Sequence, residues 1–256
     1  MTVLRPAGAT EPVVIAHRGN SSVAPQNTLA AFESAWRAGA DAIELDVRLS
    51  RDGRVVVIHD STVDDTTDGS GAVEQLDLAT LRALDAGSWF SRAFVGQRVP
   101  TLDEVLALLV ERPGTDVLLE VKGAWTPTEA RRVTDAVDAA GLAERVVVQS
   151  FWPQTVEALR DAAEHLPRGL LLALPPDGPD ELLRVCKELD VVTCNPAGTL
   201  LAADPGLLDR LRSMGLQVMV WTANEPAEWE LLCEADVDAI ITDRPDRLRG
   251  WLAGRR

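Results

Sequence analysis

Residues 191–242 read VVTCNPAGTLLAADPGLLDRLRSMGLQVMVWTANEPAEWELLCEADVDAIIT. Three runs in this stretch, Val191–Asn195, Gln217–Thr222 and Ala239–Thr242, are short, apolar and rich in β-branched residues, as buried strands are. Between them lie Pro205–Met214 and Pro226–Ala235, which carry apolar residues at helical spacing. Buried strands alternating with helices make parallel βαβ units, because a parallel connection must cross over the sheet.

The same rhythm runs back to the start of the chain. Val13–His17 precedes a helix at Asn27–Ala38, followed by a strand at Ala42–Leu49. Val117–Lys122 precedes Thr128–Ala140, Arg145–Ser150 precedes Pro153–His165, and Gly169–Leu174 precedes Asp180–Leu189. A last helix falls near Asp246–Leu252. The strands beginning at 13, 42, 117, 145, 169, 191, 217 and 239 close most simply into an α/β fold, a TIM-type (β/α)8 barrel. Its C-terminal strand ends are where such barrels build their sites.

The gap from Leu49 to Val117 is too long for one crossover, so the sequence predicts a small insertion at about residues 60–100, over the barrel mouth. Arg54–Asp60 is a further β-like run. It either extends the second strand as a hairpin or enters the barrel. With Asp52-Gly53 as a two-residue turn, Arg51 faces Arg54 and Asp46 falls opposite His59. No linker or low-complexity tract interrupts the 256 residues, and 46% apolar content fills one large core, so the expectation is a single domain over 1–256.

Charge and composition exclude several functions. With 25 Lys+Arg against 40 Asp+Glu the chain carries −15, which repels nucleic acid and anionic lipid headgroups. No apolar run is long enough to span a bilayer, and Met1–Pro12 lacks the basic start and apolar block of a signal peptide. The reading is therefore a cytoplasmic protein without stable membrane insertion; its oligomeric state is not legible. Cys186, Cys194 and Cys233 are too scattered for a disulfide framework or a zinc site and read as reduced core thiols. The only lysines are Lys122 and Lys187, and the only histidines are His17, His59 and His165.

Chemistry-bearing residues concentrate at strand ends. His17-Arg18-Gly19 leaves the first strand, either as site residues or as a backbone-bonded cap. In Ile43-Glu44-Leu45-Asp46-Val47, alternation turns Glu44 and Asp46 to one face. Two carboxylates there need a cation, or a salt-bridge network with Arg18 or Arg48. Leu119-Glu120-Val121-Lys122 repeats the device with a third carboxylate and a lysine. All-oxygen ligation favours Ca²⁺ or Mg²⁺ over zinc. Such a cation, two basic side chains and two histidines suit phosphoryl chemistry. Trp221 ends a strand as core filler or site wall. His165, Trp36, Trp229 and Trp251 read as surface or packing residues, Trp89, Phe90 and Phe94 as insertion packing or a substrate wall, and Asp243-Arg244 as an ion pair without a catalytic role.

In this order the motifs His17-Arg18-Gly19, Pro25-Gln26-Asn27-Thr28, Glu44-Leu45-Asp46-Val47, Asp52-Gly53, His59-Asp60, Val99–Leu106, Glu120-Val121-Lys122, Gln149-Ser150-Phe151, Val220-Trp221-Thr222 and Ile240–Pro245 span nearly the whole chain. This set resembles the glycerophosphodiester phosphodiesterase family. The resemblance implies a barrel hydrolase that releases glycerol 3-phosphate and an alcohol from small-molecule glycerophosphodiesters, using a divalent cation. Carried across, Glu44, Asp46 and Glu120 resemble the metal ligands, His17 the general base and His59 the general acid. Arg18 and Lys122 resemble the phosphate contacts, and Trp221 the aromatic lining the glycerol or alcohol side. Two positions depart: the family usually has Glu at Gln26 and often Arg at Asp65. The alternatives are lysophospholipase D-type hydrolysis of lysophospholipids and a non-catalytic barrel that binds phosphate esters.

Overall fold

The protein is described by a computed structural model over residues 4–175 and 178–255. The outermost ends of the expected 1–256 domain lie outside these residues. Nine strands form one sheet: β1 (Val13–Ala16), β2 (Ala42–Leu49), β3 (Val55–Val57), β4 (Asp116–Val121), β5 (Val146–Ser150), β6 (Arg168–Leu172), β7 (Thr193–Pro196), β8 (Gln217–Val220) and β9 (Ala239–Thr242). Eight are parallel, and β1 pairs with both β2 and β9, closing the barrel. The expected (β/α)8 architecture is the one observed. Helices α1 (Leu29–Arg37), α4 (Pro127–Ala139), α5 (Pro153–Ala162), α6 (Pro179–Glu188), α8 (Leu207–Ser213), α9 (Pro226–Glu234) and α10 (Pro245–Ala253) lie where periodicity predicts them. Helices α2 (Leu78–Ala83), α3 (Leu102–Val110) and α7 (Gly198–Ala203) go beyond that reading.

The α3 helix is the crossover of the second βα unit and had a legible start signal. Thr101 Oγ1 accepts the Glu104 amide while the Glu104 carboxylate accepts the Thr101 amide, a reciprocal capping box. Its Leu102, Val105, Leu106 and Leu109 face the barrel.

The hairpin forms, but one residue out of the predicted register. Val47 pairs with Val57 and Leu49 with Val55, and the Ile58 amide donates to the Asp46 carbonyl, so Asp46 lies opposite Ile58, not His59. The turn holds three residues, Arg51-Asp52-Gly53, because Ser50 and Asp52 bind each other. Ser50 Oγ donates to Asp52 Oδ1 at 2.6 Å and accepts the Arg54 amide at 2.9 Å. Gly53 takes the left-handed φ of +70° that closes such a loop. The β3 strand stays outside the barrel, antiparallel on β2. Beyond it, Val63, Val73, Leu81, Ala86 and Val99 pack with Val56 and Ile58 into a small apolar cluster of their own.

Inward positions along the barrel strands change character from bottom to top. Val13, Ile15, Ala42, Leu118, Val147, Met219, Ala239 and Ile241 form an apolar floor. Two or four residues further along the same strands stand His17, Glu44, Asp46 and Glu120. Outward positions such as Ile43, Leu45, Leu119 and Val148 pack against helices.

Candidate active site

The parallel register of β2 and β4 sets Asp46 beside Glu120, with Glu44 one inward position below Asp46. Each of these three offers an oxygen within 4.8 Å of the others, and all three residues are buried. Lys122 Nζ lies 3.0 Å from Asp46 Oδ1 and 2.6 Å from Glu120 Oε1. Those two oxygens nevertheless have no well-aligned hydrogen-bond donor. Asp46 Oδ2 accepts Asn27 Nδ2 at 2.8 Å and has Arg18 Nε at 3.4 Å. Glu44 Oε2 accepts the Arg18 amide at 2.9 Å. The salt-bridge network expected as an alternative is thus present, through Arg18 and Lys122. Arg48 instead donates from Nε to the His59 carbonyl.

The electrostatics leave this network short of positive charge. Burial drives the Glu44 carboxyl well above its ordinary range, and the charges of Asp46 and Glu120 push it the same way. Burial, then Asp46, lifts Glu120 to about 7. Burial also opposes ionisation of Asp46, but Lys122 and Arg18 outweigh it and hold that carboxyl below its ordinary range. Three buried oxygen donors, only one lysine shared between two of them, and two carboxyls that resist ionisation fit a hard divalent cation, which would supply the missing charge.

The two histidines of the cavity are each tied by Nδ1. His17 Nδ1 lies 2.7 Å from Asp243 Oδ1, and Asp243 is further fixed by Ser21 Oγ at 3.0 Å and Asn224 Nδ2 at 2.6 Å. Half-burial works against the Asp243 carboxylate, yet the His17 hydrogen bond and charge hold it down at about 2. His59 Nδ1 lies 2.7 Å from Asp60 Oδ1. Burial lowers the His59 pKa, partly offset by Asp46.

His17, Arg18, Glu44, His59, Glu120, Lys122 and Trp221 line one cavity of about 280 Å³ at the C-terminal strand ends, with Asp46 buried at its base. All eight residues singled out in the sequence therefore meet. Trp221 donates Nε1 to the Asn195 carbonyl at 2.7 Å and meets Phe151 edge-on at 5.4 Å between ring centroids. Lys122 Nζ sits 5.6 Å from the centre of the Phe151 ring.

The tight turn after β1 depends on Gly19. At φ +85° it lies so close to α1 that a Cβ would come within 2.7 Å of the Ala31 backbone. Arg18 itself holds φ 56° and Asn27 the same value, which aims both toward Asp46. Arg18 also donates from Nη1 to Gln26 Oε1 at 2.8 Å. Asp65 is exposed on the segment after β3.

Sequence reasoning undervalued Asp243. Its predicted partner, Arg244, pairs with Glu225 instead, and Asp243 turns to His17. The signal was its position one residue past β9, beside the His17 strand end, because β1 and β9 are neighbours. Asn27 was legible only as part of a motif. The cysteines are free; Cys186 and Cys194 are buried, as expected of core thiols. His165 is at the surface on Asp138, and Trp229 packs on Trp251.

Comparison with known proteins agrees with this geometry. The model of the glycerophosphoryl diester phosphodiesterase family matches residues 17–247. A glycerophosphodiester phosphodiesterase of Caldanaerobacter subterraneus is 37% identical over 238 residues, covering 92% of this chain and 96% of the relative. The crystal structure of a glycerophosphodiester phosphodiesterase from Agrobacterium tumefaciens superposes with a TM-score of 0.80 at 32% identity, over 93% of this chain and 99% of that one. An Oleispira antarctica phosphodiesterase solved with its product sn-glycerol-3-phosphate gives 0.84 at 27% identity, over 95% and 97%. Motifs, barrel and coverage agree from end to end, and the chain belongs to the glycerophosphoryl diester phosphodiesterase family.

Proposed function

We propose that this phosphodiesterase hydrolyses glycerophosphodiesters to glycerol 3-phosphate and an alcohol with the help of one divalent cation, Ca²⁺ or Mg²⁺, and two histidines. The observation that carries the reading is the buried oxygen cluster of Glu44, Asp46 and Glu120 in a cavity also lined by His17 and His59. Those three carboxylates would hold the cation, which when bound would neutralise non-bridging phosphate oxygens. Arg18 and Lys122 would contact the same phosphate.

The proton chemistry falls to the histidines. Asp243 accepts a hydrogen bond from His17 Nδ1–H, which leaves Nε2 with its lone pair, the form a general base requires. His17 takes the proton of the attacking oxygen as that oxygen bonds to phosphorus. The bond from phosphorus to the alcohol oxygen breaks, and His59 delivers a proton to that oxygen. Burial makes His59⁺ readier to give its proton up, and Asp60 at Nδ1 fixes the ring. Water, or the neighbouring hydroxyl of the glycerol, can be the attacking group with the same two histidines. Rapid-quench detection of a cyclic glycerophosphate separates the two routes. Trp221 and Phe151 form the apolar wall of the cavity.

The test is glycerol 3-phosphate release from glycerophosphocholine and glycerophosphoethanolamine by chelator-treated protein, with and without added Ca²⁺ or Mg²⁺. Release restored by a cation is expected. Equal release before and after chelation would remove the metal from the reading, and no release from folded protein would remove the substrate.

A further inference from the structure

His17 is held by more than Asp243. His17, Asp243 and Asn224 stand just past the ends of β1, β9 and β8, three neighbouring strands of the barrel. Their side chains join into one chain across the mouth: His17 Nδ1 lies 2.7 Å from Asp243 Oδ1, and Asn224 Nδ2 donates to Asp243 Oδ2 at 2.6 Å. His17 lines the catalytic cavity, whereas Asp243 and Asn224 do not. Whatever those two do for the reaction passes through His17.

The donors that reach Asp243 are not equivalent. Ser21 Oγ has one proton and two acceptors, Asp243 Oδ1 at 3.0 Å and the His17 carbonyl at 2.9 Å, so it serves only one at a time. Asn224 has no such choice. Its Oδ1 accepts the Asp243 backbone amide at 2.9 Å, a group that can only donate, and Thr242 Oγ1 donates to the same oxygen at 3.0 Å. The side-chain amide therefore has one orientation, with its nitrogen facing Asp243 Oδ2. The Asp243 side chain is 33% exposed, so without that clamp water competes for its oxygens and the carboxylate is free to turn from His17.

We infer that Asn224 is a positioning residue of the reaction: it locks the Asp243 carboxylate where it keeps His17 in the Nδ1–H tautomer, with Nε2 bare. The inference rests on the reading above of His17 as general base. In the other tautomer Nε2 carries a proton and cannot accept one from the attacking oxygen. Asn224 bonds neither Arg18 nor Lys122, so its loss should leave substrate affinity alone and slow the proton-transfer step. A hydrogen bond to an ionised group is worth a factor of roughly ten to a hundred, which bounds the effect.

The experiment compares the metal-supplemented full chain with Asn224→Ala and Asn224→Asp in glycerophosphocholine turnover at about pH 8, where two facing carboxyls are both ionised. Asn224→Asp keeps the acceptor for the Asp243 amide and removes only the donor, so a purely structural role would tolerate it. Both variants should lose roughly ten- to a hundredfold in kcat with KM unchanged. The cost of Asn224→Ala should vanish in an Asp243→Ala background, where no carboxylate is left to hold. The chain has three histidines, so isotope-labelled imidazole nitrogen spectra of the metal-free protein resolve His17, with His17→Gln as the assignment control. The wild type should show Nδ1–H and a bare Nε2 at His17, and both Asn224 variants a mixture of tautomers. Unchanged His59 and His165 signals report that the variants are folded. A normal kcat in Asn224→Asp, an equal loss with and without Asp243, or an unaltered His17 tautomer overturns the inference and leaves the phosphodiesterase reading standing. No turnover by folded wild type removes that reading and the inference together.

Discussion

The floor and the mouth of this barrel are built from the same strands, a few inward positions apart, and they obey opposite rules. Ala42 and Leu118 sit in the floor among Ile15, Val147 and Met219, where burial removes apolar surface from water and lowers the free energy. Glu44, Asp46 and Glu120, further along β2 and β4, are just as buried, but their burial costs free energy unless opposite charge is supplied. The mouth is held open to chemistry by the stability of the layer beneath it. Its electrostatic debt is met in part by Arg18 and Lys122, and the remainder is what a divalent cation could supply.

The contrast is most exposed to failure at Glu44. Glu44→Ala should cut kcat/KM by roughly 10³-fold or more while thermal unfolding of the metal-free protein stays the same or moves upward. The carboxyl removed is one that resists ionisation, so relief of its burial cost offsets the one hydrogen bond lost, from the Arg18 amide. Calorimetric cation titration alongside steady-state rates checks this, and full activity would sink the ligand assignment. Leu118→Ala should do the reverse, costing about 2–5 kcal/mol in denaturant unfolding with little change in rate per folded molecule. If the rate collapsed instead, floor and mouth would not be separable.

Gly169 marks the boundary between the layers. A Cβ there would lie 2.4 Å from Thr193 Oγ1 and 3.1 Å from Asn195 Nδ2. Gly169→Ala should therefore cost roughly 1–3 kcal/mol by overpacking, read in the same unfolding assay. A neutral result would mean that Thr193 can turn aside.

The smallest effect is a pH slope. Glu120, lifted to about 7, holds a proton below that pH in the metal-free protein. Because its folded pKa is raised from 4.5, it contributes stability below pH 4.5 that is lost as pH rises through 7. The cation requires the carboxylates, and Glu44 resists ionisation as Glu120 does, so its affinity should climb as pH rises through 7, by about tenfold per pH unit for each proton displaced. Calorimetry across this range measures both the affinity and the proton released. A flat profile would show that Glu120 is ionised before the cation arrives.

Much of this was legible in the chain. The eight barrel strands and seven of the flanking helices follow from β-branched runs alternating with amphipathic ones, a local pattern that burial on both faces of a parallel sheet imposes. The inward direction of Glu44 and Asp46 follows from alternation alone. The hairpin register did not, because a Ser50–Asp52 hydrogen bond adds a residue to a turn that Asp-Gly would close in two. The α3 helix was hidden inside what reads as a long gap, although its capping box was written in Thr101 and Glu104.

The sequence by itself determined the barrel, the family motifs and the residue types at the mouth, because those depend on periodicity within one element. Only the tertiary structure decided which groups touch. Closure of β1 onto β9 gives His17 the carboxylate of Asp243, more than two hundred residues away, and the β2–β4 register sets Asp46 beside Glu120. The chain from Asn224 through Asp243 to His17 exists only where the ends of β8, β9 and β1 come together. Contacts of this kind are fixed by chain closure and strand register, which the spacing of residues along one element does not encode.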